Sequence, residues 1–245
     1  MKRILLPLLA MSLFGGIVAG CGPSSASEAA KTETSSSTNS TETKPVVDIS
    51  NEKAPEPAAT PGPVATIDKP KDGDEVAVID TAKGKIIAMF YPGKAPKHVE
   101  NFKTLAKAKF YDGTRFHRCI AGFMIQGGDP NSKDLKMEAA WGTGGNMKNG
   151  KEVNVPAEFN DVKHVRGVLS MARSQDPNSA SSQFFIMQGD NAGLDGQYSA
   201  FGKAISGLEI VDEIVKTGDA GNNGKVEAKD AVVVKSITIV KWPVK

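Results

Sequence analysis

From about residue 75 onward the hydrophobic pattern switches repeatedly between a period of two and a period of three to four. Residues 75–82 and 85–91 are β-rich runs, and Lys83-Gly84 between them is a hairpin signal. Across residues 95–109 the apolar positions are Val99, Phe102, Leu105 and Ala106, which predicts an amphipathic helix. Tyr111-Asp112-Gly113-Thr114 reads as a turn and 115–120 as a strand. Residues 127–160 are a long Gly- and Asn-rich excursion with little periodicity. Residues 168–172 and 183–188 read as buried strands separated by a polar loop, and 198–204 as another short strand. Leu208, Val211, Ile214 and Val215 outline a second short helix, and 231–241 alternates as a closing strand. Many short strands with only two helices predict a mainly β domain, a closed barrel or a sandwich, and exclude a βαβ protein. No internal repeat is visible.

The first seventy residues carry a different pattern. Lys2 and Arg3 precede an uncharged apolar run from residue 4 to residue 20. That run is short of the roughly 20 residues of a membrane helix, and Pro7, Gly15 and Gly16 weaken it as one. It ends in Val18-Ala19-Gly20-Cys21, small residues followed directly by a cysteine. An ordinary signal peptide ends in a small-x-small site. This ending instead resembles the lipobox of bacterial lipoproteins, which implies a signal peptide over 1–20 and a lipidated Cys21 as the new N-terminus. Stable anchoring takes more than one acyl chain, at about 0.8 kcal/mol per buried methylene, and lipoprotein modification supplies two or three. Residues 21–71 are rich in Ser, Thr, Ala, Pro, Glu and Lys and almost free of aromatics. Such a segment buries too little apolar area to offset its ordering entropy and is expected to be a disordered tether spanning on the order of 40 Å. A folded domain is expected over 72–245.

Charge and composition narrow the function. Without Lys2 and Arg3 the 30 basic side chains become 28, equal to the 28 acidic ones. No basic stripe is visible, so nucleic acid is not an expected partner. With Cys21 assigned to lipid, Cys119 has no disulfide partner and reads as a small core residue. There is no G-x-S-x-G elbow and no H-E-x-x-H. His98, His117 and His164 are scattered without metal-ligand spacing, so no metal is expected. Gly142-Thr143-Gly144-Gly145 lacks the Lys-Ser/Thr ending of a phosphate loop. Hydrolysis, metal chemistry and phosphoryl transfer are all disfavoured.

The stretch FHRCIAGFMIQGGD, residues 116–129, is the informative one. On a strand Phe116, Arg118 and Ile120 share one face, and His117, Cys119 and Ala121 the other. Arg118 either faces inward to meet a polar partner, because a buried charge is costly to desolvate, or snorkels to solvent. Alternation alone does not decide. Gly122 breaks the alternation and lets Phe123, Met124 and Gln126 be re-aimed.

This stretch, with GVLSMARSQDPNSASSQFFIM and LDGQYSAFGKAISGLEIVDEI, resembles the cyclophilins, a family of peptidyl-prolyl cis-trans isomerases. The match runs in order through most of residues 75–240. It implies a closed eight-stranded antiparallel β-barrel capped by two helices. It implies Arg118 as the catalytic arginine and a proline pocket of Phe123, Met124, Phe185 and Leu194. Gln126 would hydrogen-bond the substrate backbone. Ala172 and Arg173 would meet the residue before the proline, with Gln183 beside them, while Gly144 and Gly145 line a neighbouring subsite. Tyr198 stands where many members carry a pocket histidine. Arg173 replaces an asparagine, and its charge would favour acidic flanks. Gly193 stands where many eukaryotic members place a tryptophan that contacts cyclosporin, which implies weak sensitivity to that drug. Residues 131–141 look like an insertion. The implied protein is a monomeric, cofactor-free isomerase, lipid-anchored outside the cytoplasm and acting on proline-containing segments of exported polypeptides. The alternative is a chaperone that binds such segments with little turnover.

Overall fold

The computed structural model describes residues 69–244. The 1–20 signal, lipidated Cys21 and nearly all of the 21–71 tether lie outside the described residues. Ten strands and two α-helices are present among those described. The strands are β1 (Glu75–Thr81), β2 (Gly84–Phe90), β3 (Arg118–Ile120), β4 (Met124–Gly127), β5 (Met147–Lys148), β6 (Lys151–Glu152), β7 (Val168–Met171), β8 (Phe184–Met187), β9 (Ala200–Ser206) and β10 (Val234–Lys241). The helices are α1 (Pro96–Lys107) and α2 (Leu208–Val215). Eight strands form one antiparallel sheet in the order β10-β1-β2-β9-β7-β8-β4-β3, while β5 and β6 make a separate small hairpin.

No ladder joins β3 to β10 directly. Instead the residues before β3 reach the start of β10: Phe116 donates its N–H to Val232 O at 3.1 Å, and Val234 donates to Thr114 O at 2.8 Å. This corrects the expected strand over 115–120. The chain bonds to the β10 segment at Phe116, to Gln126 at His117 and to Gly224 at Cys119. Strict alternation needs one partner on each side, and here the partners change from residue to residue. Phe116 and Cys119 therefore both enter the central core, and Phe116 does not share a face with Arg118. Elsewhere the expected elements are present with ends displaced by one to three residues.

The central core joins α1 and α2 to one face of the sheet. Along α1 the buried side chains are the expected Val99, Phe102, Leu105 and Ala106, with His98 added. Pro96 opens the helix, where its missing N–H costs nothing. The carboxylate of Glu158, far along the excursion, accepts the N–H groups of Lys97 at 3.1 Å and His98 at 3.0 Å. A charged acceptor at that end also suits the helix dipole. Gly207 starts α2 with φ +85°, and a Cβ there would stand 2.3 Å from Lys85 O, so a side chain is excluded twice over.

His98 carries a pH prediction. It is fully buried, and burial lowers its pKa to about 4 from the ordinary 6.5, against an opposing pull from Glu158. The unfolded state takes up its proton first, so full stability holds above about pH 6.5 and is lost progressively down to about pH 4. Each unit of that gap is worth about 1.4 kcal/mol. Urea midpoints should fall between pH 7 and pH 4.5, and an NMR titration should find the His98 ring still mainly neutral at the acid end of that range.

Candidate active site

Strands β4, β7 and β8 are buried on both faces, which explains their unbroken apolar runs. Ile125, Leu169, Met171, Phe184 and Ile186 point into the central core. The alternate residues Met124, Val168, Phe185 and Met187 form a second, separate apolar cluster on the opposite face.

Cross-strand register assembles that outer face. Arg118 pairs with Gln126, Gln126 with Phe185, and Phe185 with Ser170. Directly opposed residues stand about 4.5–5.5 Å apart on a common face. One row therefore presents a guanidinium, an amide and an aromatic ring in sequence. The next row is Ile120, Met124 and Met187, wholly apolar.

Phe123, Met124, Ala172, Phe185, Leu194 and Tyr198 all belong to the second cluster, so the structure gathers every apolar residue named for the pocket. Tyr198 meets Phe185 edge to face, with centroids 5.8 Å apart. Leu194 ends a short 3₁₀ turn, Ala192–Leu194, whose Asn191 side chain accepts the Gly193 N–H at 2.8 Å. On the polar side lies a cavity of about 130 Å³ lined by Gln126, Gly144, Ala172, Arg173 and Gln183 among others. Gly145 is buried, and a Cβ on it would collide with the Glu152 carboxylate.

Arg118 is half-buried at one end of the row. Its Nε donates to Asn223 O at 3.0 Å and one terminal nitrogen donates to Asn223 Oδ1 at 2.8 Å. The guanidinium fork is thus held by a loop more than a hundred positions away. Gln126 is buried and donates Nε2 to Gln183 Oε1 at 3.0 Å. Arg173 is held by its own chain. Its Nε and one terminal nitrogen donate to Gln197 O at 3.1 Å and Ser174 O at 2.9 Å, and its plane lies 4.6 Å from the Tyr198 ring centre. These contacts hold the guanidinium, its charge intact, against the Tyr198 face of the pocket. Cys119 is buried, and burial pushes its thiol up to about 12, so it is not a nucleophile.

Three residues here gave no sequence signal. His164 is buried behind the pocket, stacked near Phe185, with Nε2 3.1 Å from Ser170 Oγ and Nδ1 3.2 Å from Asp195 Oδ1. Burial lowers its pKa despite the Asp195 carboxylate. A neutral imidazole wedged between a hydroxyl and a carboxylate backs the aromatic wall. Asn223, which anchors Arg118, is the third residue after Ser170 and His164, and only the fold brings it near.

Arg118 is a fixed hydrogen-bond donor beside an apolar pocket, and the one hydroxyl in the row, Ser170, is fully buried against the His164 ring; the arrangement suits stabilisation of a distorted neutral group. The family model for "Cyclophilin type peptidyl-prolyl cis-trans isomerase/CLD" matches residues 76–244. A probable peptidyl-prolyl cis-trans isomerase of Brucella abortus is 41% identical over 169 residues, covering 68% of this chain and 84% of its own length. Peptidyl-prolyl cis-trans isomerase A of Dickeya dadantii is 40% identical over 171 residues, covering 67% of this chain and 84% of its own. Among solved structures, a cyclophilin-type isomerase of Cryptosporidium parvum, crystallised in the presence of the dipeptide Ala-Pro, superposes with a TM-score of 0.58 at 32% identity. That match covers 68% of this chain and 99% of the other.

Proposed function

This chain belongs to the cyclophilin-type peptidyl-prolyl cis-trans isomerases, and from that premise we propose that it turns over X-Pro bonds in exported polypeptides while anchored by lipid at Cys21 outside the cytoplasm. The observation that carries the catalytic part is the row Arg118–Gln126–Phe185 beside the second apolar cluster.

A peptide bond resists rotation by about 18–20 kcal/mol because the nitrogen lone pair is delocalised into the carbonyl. Uncatalysed X-Pro isomerisation takes tens to hundreds of seconds. In the twisted transition state the prolyl nitrogen becomes pyramidal and regains that lone pair as an acceptor. The apolar cluster around Phe123, Met124, Phe185 and Leu194 holds the proline ring. Gln126 bonds the flanking backbone, and Arg118 donates to the nitrogen once it pyramidalises. The donor then binds the transition state better than the planar ground state, which is what accelerates the step. Arg118 can do this without giving up a proton, because a guanidinium stays charged at any working pH. Ala172 and Arg173 contact the residue before the proline, and Gly144 and Gly145 edge the neighbouring subsite. No cofactor is required.

The anchoring part rests on the charged start, the apolar run and the small residues before Cys21. Two measurements test the reading. NMR exchange spectroscopy on a short X-Pro peptide should show faster cis-trans exchange with the protein present. Binding without acceleration would instead mark a proline-segment chaperone. In the native host the protein should fractionate with membranes and lose that association in Cys21→Ser. Continued membrane association of the variant would refute lipid anchoring.

A further inference from the structure

We propose that Gln183 and Asp129 are positioning residues that fix the side-chain amide of Gln126 in one orientation, its nitrogen on Gln183 and its oxygen left as the acceptor for a substrate N–H; this rests on the isomerase reading of the same site.

The polarity follows from chemistry that admits one solution. A peptide carbonyl can only accept a hydrogen bond. Two of them, Gly142 O and Gly144 O, each lie 2.8 Å from Nε2 of Gln183. The nitrogen end of Gln183 is therefore the end that faces the glycine loop. Its oxygen end is left facing Gln126 at 3.0 Å and needs a donor there. Gln126 must present Nε2, and its own Oε1 is turned away. That Oε1 is buried and has no hydrogen-bond partner among the described residues. A buried acceptor without a partner costs about 1–3 kcal/mol, so the fold holds it ready for a donor that arrives from outside. An extended peptide supplies such donors only through backbone N–H groups, and the prolyl nitrogen is not one of them. The N–H therefore comes from a residue flanking the proline.

The relay is only as firm as the glycine loop that starts it, and Asp129 secures that loop. Asp129 is fully buried in the turn after β4. Its carboxylate accepts the N–H of Gly142 and, at 2.7 Å, that of Asn131. Asn131 opens the 131–141 insertion and Gly142 directly follows it, so one side chain clasps the insertion shut. Asn131 in turn donates Nδ2 to Ala140 O at 3.3 Å and Thr143 Oγ1 at 3.2 Å. A Cβ on Gly144 would lie 2.2 Å from Asp129 Oδ1, so only glycine lets the loop approach this closely. The path runs from Asp129 to Gly142, from the Gly142 and Gly144 carbonyls to Gln183, and from Gln183 to Gln126.

The test is a double-mutant cycle with Gln183→Leu and Gln126→Ala in the full chain, using the X-Pro exchange assay. Leucine keeps much of the bulk of glutamine but offers neither the donor to the two carbonyls nor the acceptor to Gln126. Gln183→Leu is expected to lower kcat/KM about tenfold, mainly through KM, as for loss of one well-placed hydrogen bond. In a Gln126→Ala background the same substitution should change kcat/KM less than twofold, because nothing remains for it to orient. Equal, multiplicative effects in both backgrounds would overturn the proposal, since general damage to the site does not depend on Gln126. Asp129→Asn should show the same dependence on Gln126 with a smaller single effect, because an amide retains only one of the two acceptors. A second readout does not need activity. The two Nε2 protons of Gln126 should give resolved NMR signals, one slowed in hydrogen exchange in the wild type and not in Gln183→Leu. Equal exchange in both proteins overturns the relay even if the isomerase reading stands, and the contrast supports it even if that reading fails.

Discussion

Arg118→Ala is expected to slow catalysed X-Pro exchange by about 100- to 1,000-fold, the loss that follows removal of one preorganised donor to a transition-state acceptor, roughly 2.7–4 kcal/mol. The size comes from where the interaction is made. In the planar ground state the prolyl nitrogen has no lone pair to offer, so the guanidinium contributes little to binding there. In the twisted state the lone pair is localised and the bond to a charged donor is strong. Affinity for the peptide should therefore change by less than a few fold while kcat collapses. Arg118→Lys should recover little. Two nitrogens of the guanidinium are committed to Asn223, and a lysine has no fixed fork with which to keep that anchor and still reach the substrate. The residue is half-buried at the sheet edge, so the variant should remain folded. Exchange that persists at the wild-type rate in Arg118→Ala would remove the arginine from the mechanism.

The largest expected loss of stability comes from Phe102→Ala, about 3–5 kcal/mol. Phe102 is fully buried on the inner stripe of α1. Its ring centre lies 5.1 Å from that of Tyr111, 5.2 Å from Phe201, 5.3 Å from Phe184 and 6.0 Å from Phe90. These four neighbours come from β2, the turn after α1, β8 and β9, so one side chain links the helix to strands distant in sequence. Truncation leaves a cavity walled by rings that are themselves wedged together and cannot collapse into it. A domain of this size is stable by only some 5–15 kcal/mol, so the loss is a large share. The urea midpoint should fall with the slope unchanged. The catalytic rate of the folded fraction should hold, because Phe102 lies in the central core and not in the pocket cluster. A loss below about 1 kcal/mol would mean that the helix is not anchored by this ring.

Much of the architecture was legible because local pattern and tertiary burial agree. The α1 stripe is read from spacing alone, since a helix with one buried face has no other way to arrange Val99, Phe102 and Leu105. The unbroken apolar runs of β7 and β8 reveal burial on both faces. They do not reveal that the two faces enter two separate apolar clusters, because both reward the same residues. Phe116 was misplaced because alternation presumes a constant partner, and the chain there changes partners. For Arg173 a sequence shows a charge but not the carbonyls and ring that hold it.

Sequence by itself determined a mainly β domain and its two helices, because hydrophobic period is a property of neighbours along the chain, while the arginine, glutamine and apolar residues of the site came from the resemblance of its motifs to the cyclophilins. Only the tertiary structure decided the register that sets Arg118 beside Gln126 and Gln126 beside Phe185. It alone supplied Asn223 as the anchor of the guanidinium, His164 and Ser170 as the backing of the pocket, and Asp129 as the clasp of the glycine loop. Those contacts join residues from 6 to 105 positions apart. Their chemistry is that of ordinary polar side chains, which carry no periodic mark until the sheet curls and brings their ends together.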